Sequence, residues 1–232
     1  MNLDILIPMY NPLENWGNDV VRQFNEFCLR LPGHIISNLI MVNDGSDYSL
    51  ENDAQIVLDN IKGSKWISYD ENHGKGYALR EGVKKSDADI IMYTDYDFPY
   101  TYGSMASMLE KLLVEGTDAV VGNRDKSYYN HISSRRKRIS QYLRSVNKIL
   151  FRLPTDDTQC GLKAFKASKK ELFLSTKTNR YLIDVEFLKK LARSNSKVDI
   201  QLVKLRDNVV LSNISNLRLL KELYNYVVIM LT

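Results

Sequence analysis

The segment Ile90-Ile91-Met92-Tyr93-Thr94-Asp95-Tyr96-Asp97-Phe98-Pro99-Tyr100 joins an apolar, β-branched run to two carboxylates spaced i, i+2. Residues 90–93 read as a buried strand, and Asp95 and Asp97 stand at its C-terminal end. In open α/β sheets the strand C-termini border the ligand crevice. Two carboxylates there can hold a hard divalent cation, which in turn can grip a diphosphate. The competing reading is a polar turn with a helix N-cap, both common uses of Asp.

Strand and helix patterns alternate on either side of this segment. Strands are predicted at Leu3–Pro8, Leu39–Val42, Lys65–Tyr69, Ala119–Gly122 and Ile200–Val203. Helices are predicted at Asn18–Leu31, Leu50–Lys62, Gly76–Lys84, Met105–Glu115 and about Asp184–Arg193. Such alternation implies an α/β fold with a mostly parallel sheet flanked by helices. Residues 1–212 are expected to form one domain, with 213–232 a helical tail that packs on the domain, a membrane or a partner subunit.

The 232 residues are 44% hydrophobic and 26% charged, which fits a globular protein with its own core. Cys28 and Cys160 form no metal-ligand pattern and are expected to be reduced thiols in a cytoplasm. No run approaches the roughly 20 apolar residues that span a bilayer. The net charge of +4 is unevenly spread, because no acidic residue lies between Asp125 and Asp156. That window holds Lys126, Arg135, Arg136, Lys137, Arg138, Arg144, Lys148 and Arg152. It suits phosphates or anionic headgroups, or is a solvated helix face. Nucleic acid is not expected, since no RNA-binding aromatic motif accompanies the charge.

Polar clusters recur where strands end: Pro8-Met9-Tyr10-Asn11, Asn43-Asp44-Gly45-Ser46, Asn72 to Arg80 (NHGKGYALR), Asp95 with Asp97, Gly122-Asn123-Arg124, and Asp156 to Gly161 (DDTQCG). In this order they resemble the family 2 inverting glycosyltransferases of the GT-A fold, over about the first 190 residues. GKGYALREG, RRKRIS and DTQCGLKAFK bring the likeness closest to the polyprenyl-phosphate hexosyltransferases. Two departures stand out. Pro12 occupies the place of an acidic residue after the Tyr-Asn pair, with Glu14 two residues on, and Pro99 follows the D-x-D.

The resemblance implies a nucleoside diphosphate sugar donor, UDP-glucose being slightly favoured over GDP-mannose, and a polyprenyl phosphate acceptor at the inner membrane face. It implies Mg2+ or Mn2+ on Asp95 and Asp97, with Asp97 the stronger ligand. Asp44 is then the candidate nucleoside contact, or else an Asx-turn residue. Pro8, Tyr10 and Asn11 would wall the same pocket. Gly74-Lys75-Gly76 would form a phosphate loop with Lys75 as a point charge, or a plain helix start. Arg124 and Arg136 would grip phosphates, Arg136 nearer the acceptor. Asp157 would be a base for an alcohol acceptor, or an orienting group for a phosphate, which is mostly dianionic at pH 7. Gln159 would contact the sugar. Asp184 and Glu186 would support the acceptor side. His73 reads as a loop histidine. Two other functions stay open: transfer to a sugar hydroxyl, and nucleotide-sugar binding without catalysis. An oligomer is possible.

Overall fold

The computed structural model describes residues 1–125, 128, 138, 155, 157–207 and 209. Its strands are β1 (Asn2–Met9), β2 (Ile36–Asp44), β3 (Lys65–Tyr69), β4 (Ile90–Tyr93), β5 (Ala119–Arg124), β6 (Lys163–Lys166) and β7 (Val198–Val203). The helices are α1 (Trp16–Cys28), α2 (Glu51–Asn60), α3 (Lys75–Lys85), α4 (Tyr102–Leu113), α5 (Lys170–Leu174) and α6 (Ile183–Arg193). They flank one sheet of order β3-β2-β1-β4-β6-β5-β7. Strand β1 pairs in parallel with β2 and β4, β2 with β3, and β5 with β7. Strand β6 runs antiparallel to both β4 and β5.

The expected mixed α/β architecture is present. Sequence periodicity missed β6 and α5, which are four and five residues long. Both are too short for a period to register, and β6 (Lys-Ala-Phe-Lys) carries two lysines. The helical tail expected at 213–232 lies outside the described residues.

All four β4 residues are buried, as a strand covered on both faces requires. Leu3, Ile5, Ile7, Met41 and Met92 pack on one face against α1, α2 and α4. Leu6, Ile40, Val42, Ile91 and Tyr93 pack on the other against α3, α5 and α6. That second face is built around rings: Phe173 lies 4.8 Å from Phe187 and 5.3 Å from Phe165, centroid to centroid. Truncating such a ring to Ala costs ~3–5 kcal/mol. Strand order reverses between β1 and β4, so the crevice of this sheet opens at their C-terminal ends. Asp95 and Asp97 follow directly from β4. Among the described residues no helix is long and apolar enough to cross a membrane.

Candidate active site

The loops after β1 and β2 are stitched together. Asn11 has a left-handed backbone, its amide N–H donates to Ser46 Oγ at 2.9 Å, and its Nδ2 donates to Asp47 Oδ2 at 2.6 Å. The Asp47 N–H returns a bond to Asn11 Oδ1, and the Tyr10 hydroxyl lies 3.4 Å from the Asp47 carboxylate. Tyr10 is 45% exposed, and Pro8 is half-buried at the end of β1, in register with Val42. Asp47 thus organises the residues expected to wall the donor pocket. Asp47 was not among the residues singled out in the sequence.

Asp44, expected as a nucleoside contact or an Asx-turn residue, is engaged by the chain itself. Its Oδ1 accepts from the Tyr69 hydroxyl at 2.8 Å and the His73 N–H at 2.9 Å. Its Oδ2 accepts from Asn72 Nδ2 at 2.9 Å and the Gly74 N–H at 2.8 Å. Four protein donors therefore occupy a carboxylate that is 3% exposed. The carboxylate thereby holds the 72–74 loop.

In the Gly74-Lys75-Gly76 segment, expected as a phosphate loop or a plain helix start, the backbone donors are also engaged by the chain. The Gly76 and Tyr77 N–H groups, at the start of α3, both donate to the Asn179 carbonyl, at 2.8 and 3.2 Å. Gly74 has φ of 102°, and a Cβ there would stand 2.5 Å from the Asn179 oxygen. Close backbone approach is indeed needed, but the approaching group is the protein's own 176–182 loop. Arg80 holds that loop through the Thr178 carbonyl at 2.6 Å and through the Asn179 side chain. Glu186 accepts from the Lys177 and Thr178 N–H groups at 2.8–3.0 Å. Glu186 therefore tethers the loop that closes the start of α3.

Lys75 reaches across to Asp95 Oδ1 at 2.6 Å. Burial works against its ammonium, but the charges of Asp95 and Asp184 outweigh burial and raise its pKa above the ordinary lysine value. Gly161 abuts this pair: a Cβ there would lie 2.8 Å from Asp95 Oδ2. Asp97 is raised from 3.8 to about 6, first by burial and then by the like charge of Asp95. A divalent cation relieves that condition, because it favours both ionised carboxylates. Among the described residues no three His, Cys, Asp or Glu side chains cluster as a metal cage. Two carboxylates nonetheless fit Mg2+ or Mn2+, which commonly bind through one or two carboxylates plus substrate phosphates.

Arg206, after β7, clamps the backbone of the D-x-D turn. Its Nε donates to the Phe98 carbonyl and its Nη2 to the Asp97 carbonyl, each at 2.7 Å. Phe98 is fully buried with φ of 44°. Nothing local in the sequence announces this clamp, since Arg206 is 109 residues from Asp97.

Arg124 and Asp157 meet as a fork. Arg124 Nε and N–H both donate to Asp157 Oδ2 at 2.8 Å, and Nη2 donates to Oδ1 at 2.5 Å. The guanidinium also stacks over Tyr128 at 4.1 Å. Burial opposes its charge, yet Asp157 holds its pKa well above the ordinary value. Arg124, expected as a phosphate contact, presents a bidentate face to Asp157. Asp157 is correspondingly an ion-paired, 2% exposed group. Gln159 is partly exposed in the turn that follows. Beneath this turn Asp184 accepts from Lys163 Nζ at 2.8 Å and from the Tyr93 hydroxyl at 2.6 Å. Arg136 and Asp156 lie outside the described residues.

The structure thus brings Asp95, Asp97, Lys75 and the 157–161 loop to the C-terminal end of β4, with Asp44 and the Tyr10–Asn11 loop alongside on β2 and β1. The architecture has solved counterparts. Glucosyl-3-phosphoglycerate synthase from Mycobacterium tuberculosis, in complex with Mg2+ and uridine diphosphate, superposes with a TM-score of 0.64 at 16% identity over 99% of this chain and 78% of that one. Mannosyl-3-phosphoglycerate synthase from Rubrobacter xylanophilus gives 0.67 at 17% identity over 100% and 72%. No curated protein sequence matches significantly. The sequence profile of Glycosyl transferase family 2 matches residues 4–174, across the donor-side strands, the D-x-D and the 157–161 loop. The chain therefore belongs to glycosyl transferase family 2 and is a glycosyltransferase of the GT-A fold.

Proposed function

We propose that the enzyme moves a hexose from a nucleoside diphosphate sugar, UDP-glucose or GDP-mannose, to a polyprenyl phosphate at the inner membrane face. The observation that carries the acceptor class is the Arg124–Asp157 fork. A hydroxyl acceptor needs a base, and a carboxylate held bidentately by a guanidinium is a poor one. A phosphate monoester brings its own nucleophilic charge, because its second pKa is near 6. Asp157 then orients, and Arg124 keeps it ionised and fixed.

In this reading Asp95 and Asp97 hold Mg2+ or Mn2+, which supplies charge neutralisation to the departing diphosphate. Lys75 balances Asp95 and stands ready beside the same diphosphate. The acceptor phosphate oxygen bonds to the anomeric carbon from one face while the bond to the diphosphate breaks on the other. The leaving nucleoside diphosphate keeps the electron pair, and the configuration inverts. The basic window around Arg136 supports contact with an anionic surface, at about 1 kcal/mol per cation near it.

The solved relatives bear names of enzymes that act on phosphoglycerate, so a small phosphorylated acid is the second acceptor to test. The assay offers UDP- and GDP-sugars with Mn2+, alone, with a polyprenyl phosphate, or with 3-phosphoglycerate, and reads released nucleoside diphosphate. Release that requires the lipid phosphate is the expected result. Release that requires phosphoglycerate reassigns the acceptor, and release with neither, unchanged by added phosphate acceptors, removes the phosphate-acceptor reading.

A further inference from the structure

Lys163 is a lysine that opens a core strand, β6. It is 1% exposed, and it shares the ring-lined face of the sheet with Phe165, two residues on along β6. A buried ammonium is costly unless its donors are filled. Lys163 Nζ fills three: Asp184 Oδ1 at 2.8 Å, the Cys160 carbonyl at 2.6 Å and the Thr158 carbonyl at 3.3 Å. Asp184, on the first turn of α6, is fixed in turn by the Tyr93 hydroxyl of β4. Two of the three bonds thus go to the backbone of the 157–161 turn. That turn carries Asp157 and Gln159, and its Gly161 abuts the Lys75–Asp95 pair closely enough that a Cβ would lie 2.8 Å from Asp95 Oδ2. The other side of the turn is held by the Tyr100 hydroxyl, which accepts from the Gly161 N–H at 2.9 Å and from Cys160 Sγ at 3.4 Å.

We propose that Lys163 is a positioning residue: its ammonium, braced by Asp184, pins the Thr158 and Cys160 carbonyls and so sets the distance between the Asp157 turn and the D-x-D carboxylates. The inference deepens the transfer reading and rests on it for its kinetic consequence. A structural lysine that merely filled the core would need only its charge partner. This one spends most of its donors on the turn that borders the reacting groups. Displacement of a positioned group by 1 Å can cost about a hundredfold in rate.

The test uses the full chain and its own thiols. Cys160 is buried in the pinned turn, and Cys28, on α1, is the other cysteine and serves as the internal reference. Lys163→Met alone strands Asp184 and invites misfolding, so the informative variant is the neutral double replacement Lys163→Met with Asp184→Asn. A Lys163→Met/Asp184→Asn protein with wild-type circular dichroism is expected to alkylate Cys160 at least about tenfold faster than wild type, with Cys28 unchanged. Its kcat should fall about a hundredfold while the donor KM stays within about threefold. Asp184→Asn alone, which keeps the carbonyl anchors, should lower the Tm yet leave Cys160 protected. The proposal is overturned by a Cys160 rate equal to wild type in the double variant, by faster labelling with kcat within about threefold, or by equal Cys160 exposure in Asp184→Asn. A wild-type enzyme that turns over no donor instead sinks the transfer reading, and the thiol rates then decide the pin independently.

Discussion

The two sides of the crevice treat their carboxylates in opposite ways. On the β2 side, Asp44 receives four protein hydrogen bonds, and the nearby amides at the start of α3 donate to the Asn179 carbonyl. On the β4 side, Asp97 sits partly buried beside Asp95, and burial together with that like charge holds its carboxyl up at about 6. Both regions have the same residue chemistry at strand ends. One carboxylate is engaged four times by the chain, and the other carries an electrostatic cost that a cation would remove. A polar cluster at a strand end is therefore only a location. What distinguishes Asp44 from Asp97 is how far the chain itself satisfies the carboxylate.

The contrast can be broken most directly at Asp97. Asp97→Asn should cut turnover about a thousandfold, about 4 kcal/mol of barrier, while the protein stays folded. Steady-state assays with Mn2+ and circular dichroism on the same sample check this, and near-normal turnover would move the metal role elsewhere. Asp44→Ala should do the reverse. It leaves the His73 and Gly74 N–H groups without their acceptor and should cost ~3 kcal/mol in urea unfolding. If stability barely changes and the donor KM instead rises tenfold, Asp44 serves the nucleoside and the contrast fails.

The smallest effect is a pH dependence. The folded pKa of Asp97, about 6, lies above its ordinary 3.8, so the folded protein keeps a proton that the unfolded chain releases. Stability from this group is full below about pH 4, falls as pH rises to about 6, and stays lower beyond. Partial exposure reduces the effect to ~1 kcal/mol, or a few degrees in Tm. Thermal melts in chelator between pH 4 and 7 should show this slope in wild type and lose it in Asp97→Asn. An identical slope in both would assign it to another group.

The sequence made the donor-side strands readable because buried parallel strands are continuous apolar runs, as at Ile90–Tyr93 and Leu39–Val42. It placed Asp95 and Asp97 correctly for the same reason, since they follow directly from such a run. What stayed hidden depends on partners far along the chain. Asp44 is saturated by residues 25 to 30 positions away, and Gly76 by a carbonyl about 100 residues later. A glycine that needs room looks the same in sequence whether a phosphate or Asn179 fills it. Lys163 did leave a trace: it occupies the same strand face as Phe165, where a solvated lysine does not belong.

Arg206 gives the protein a schedule of assembly. The D-x-D turn is complete in sequence by Pro99, but the guanidinium that holds its Asp97 and Phe98 carbonyls is translated more than a hundred residues later. It also lies beyond residue 174, where the family match ends. A nascent chain that ends there has every residue of the D-x-D turn but not the guanidinium that holds its carbonyls. That clamp becomes available only once β7, which pairs with β5 and precedes Arg206, has been made.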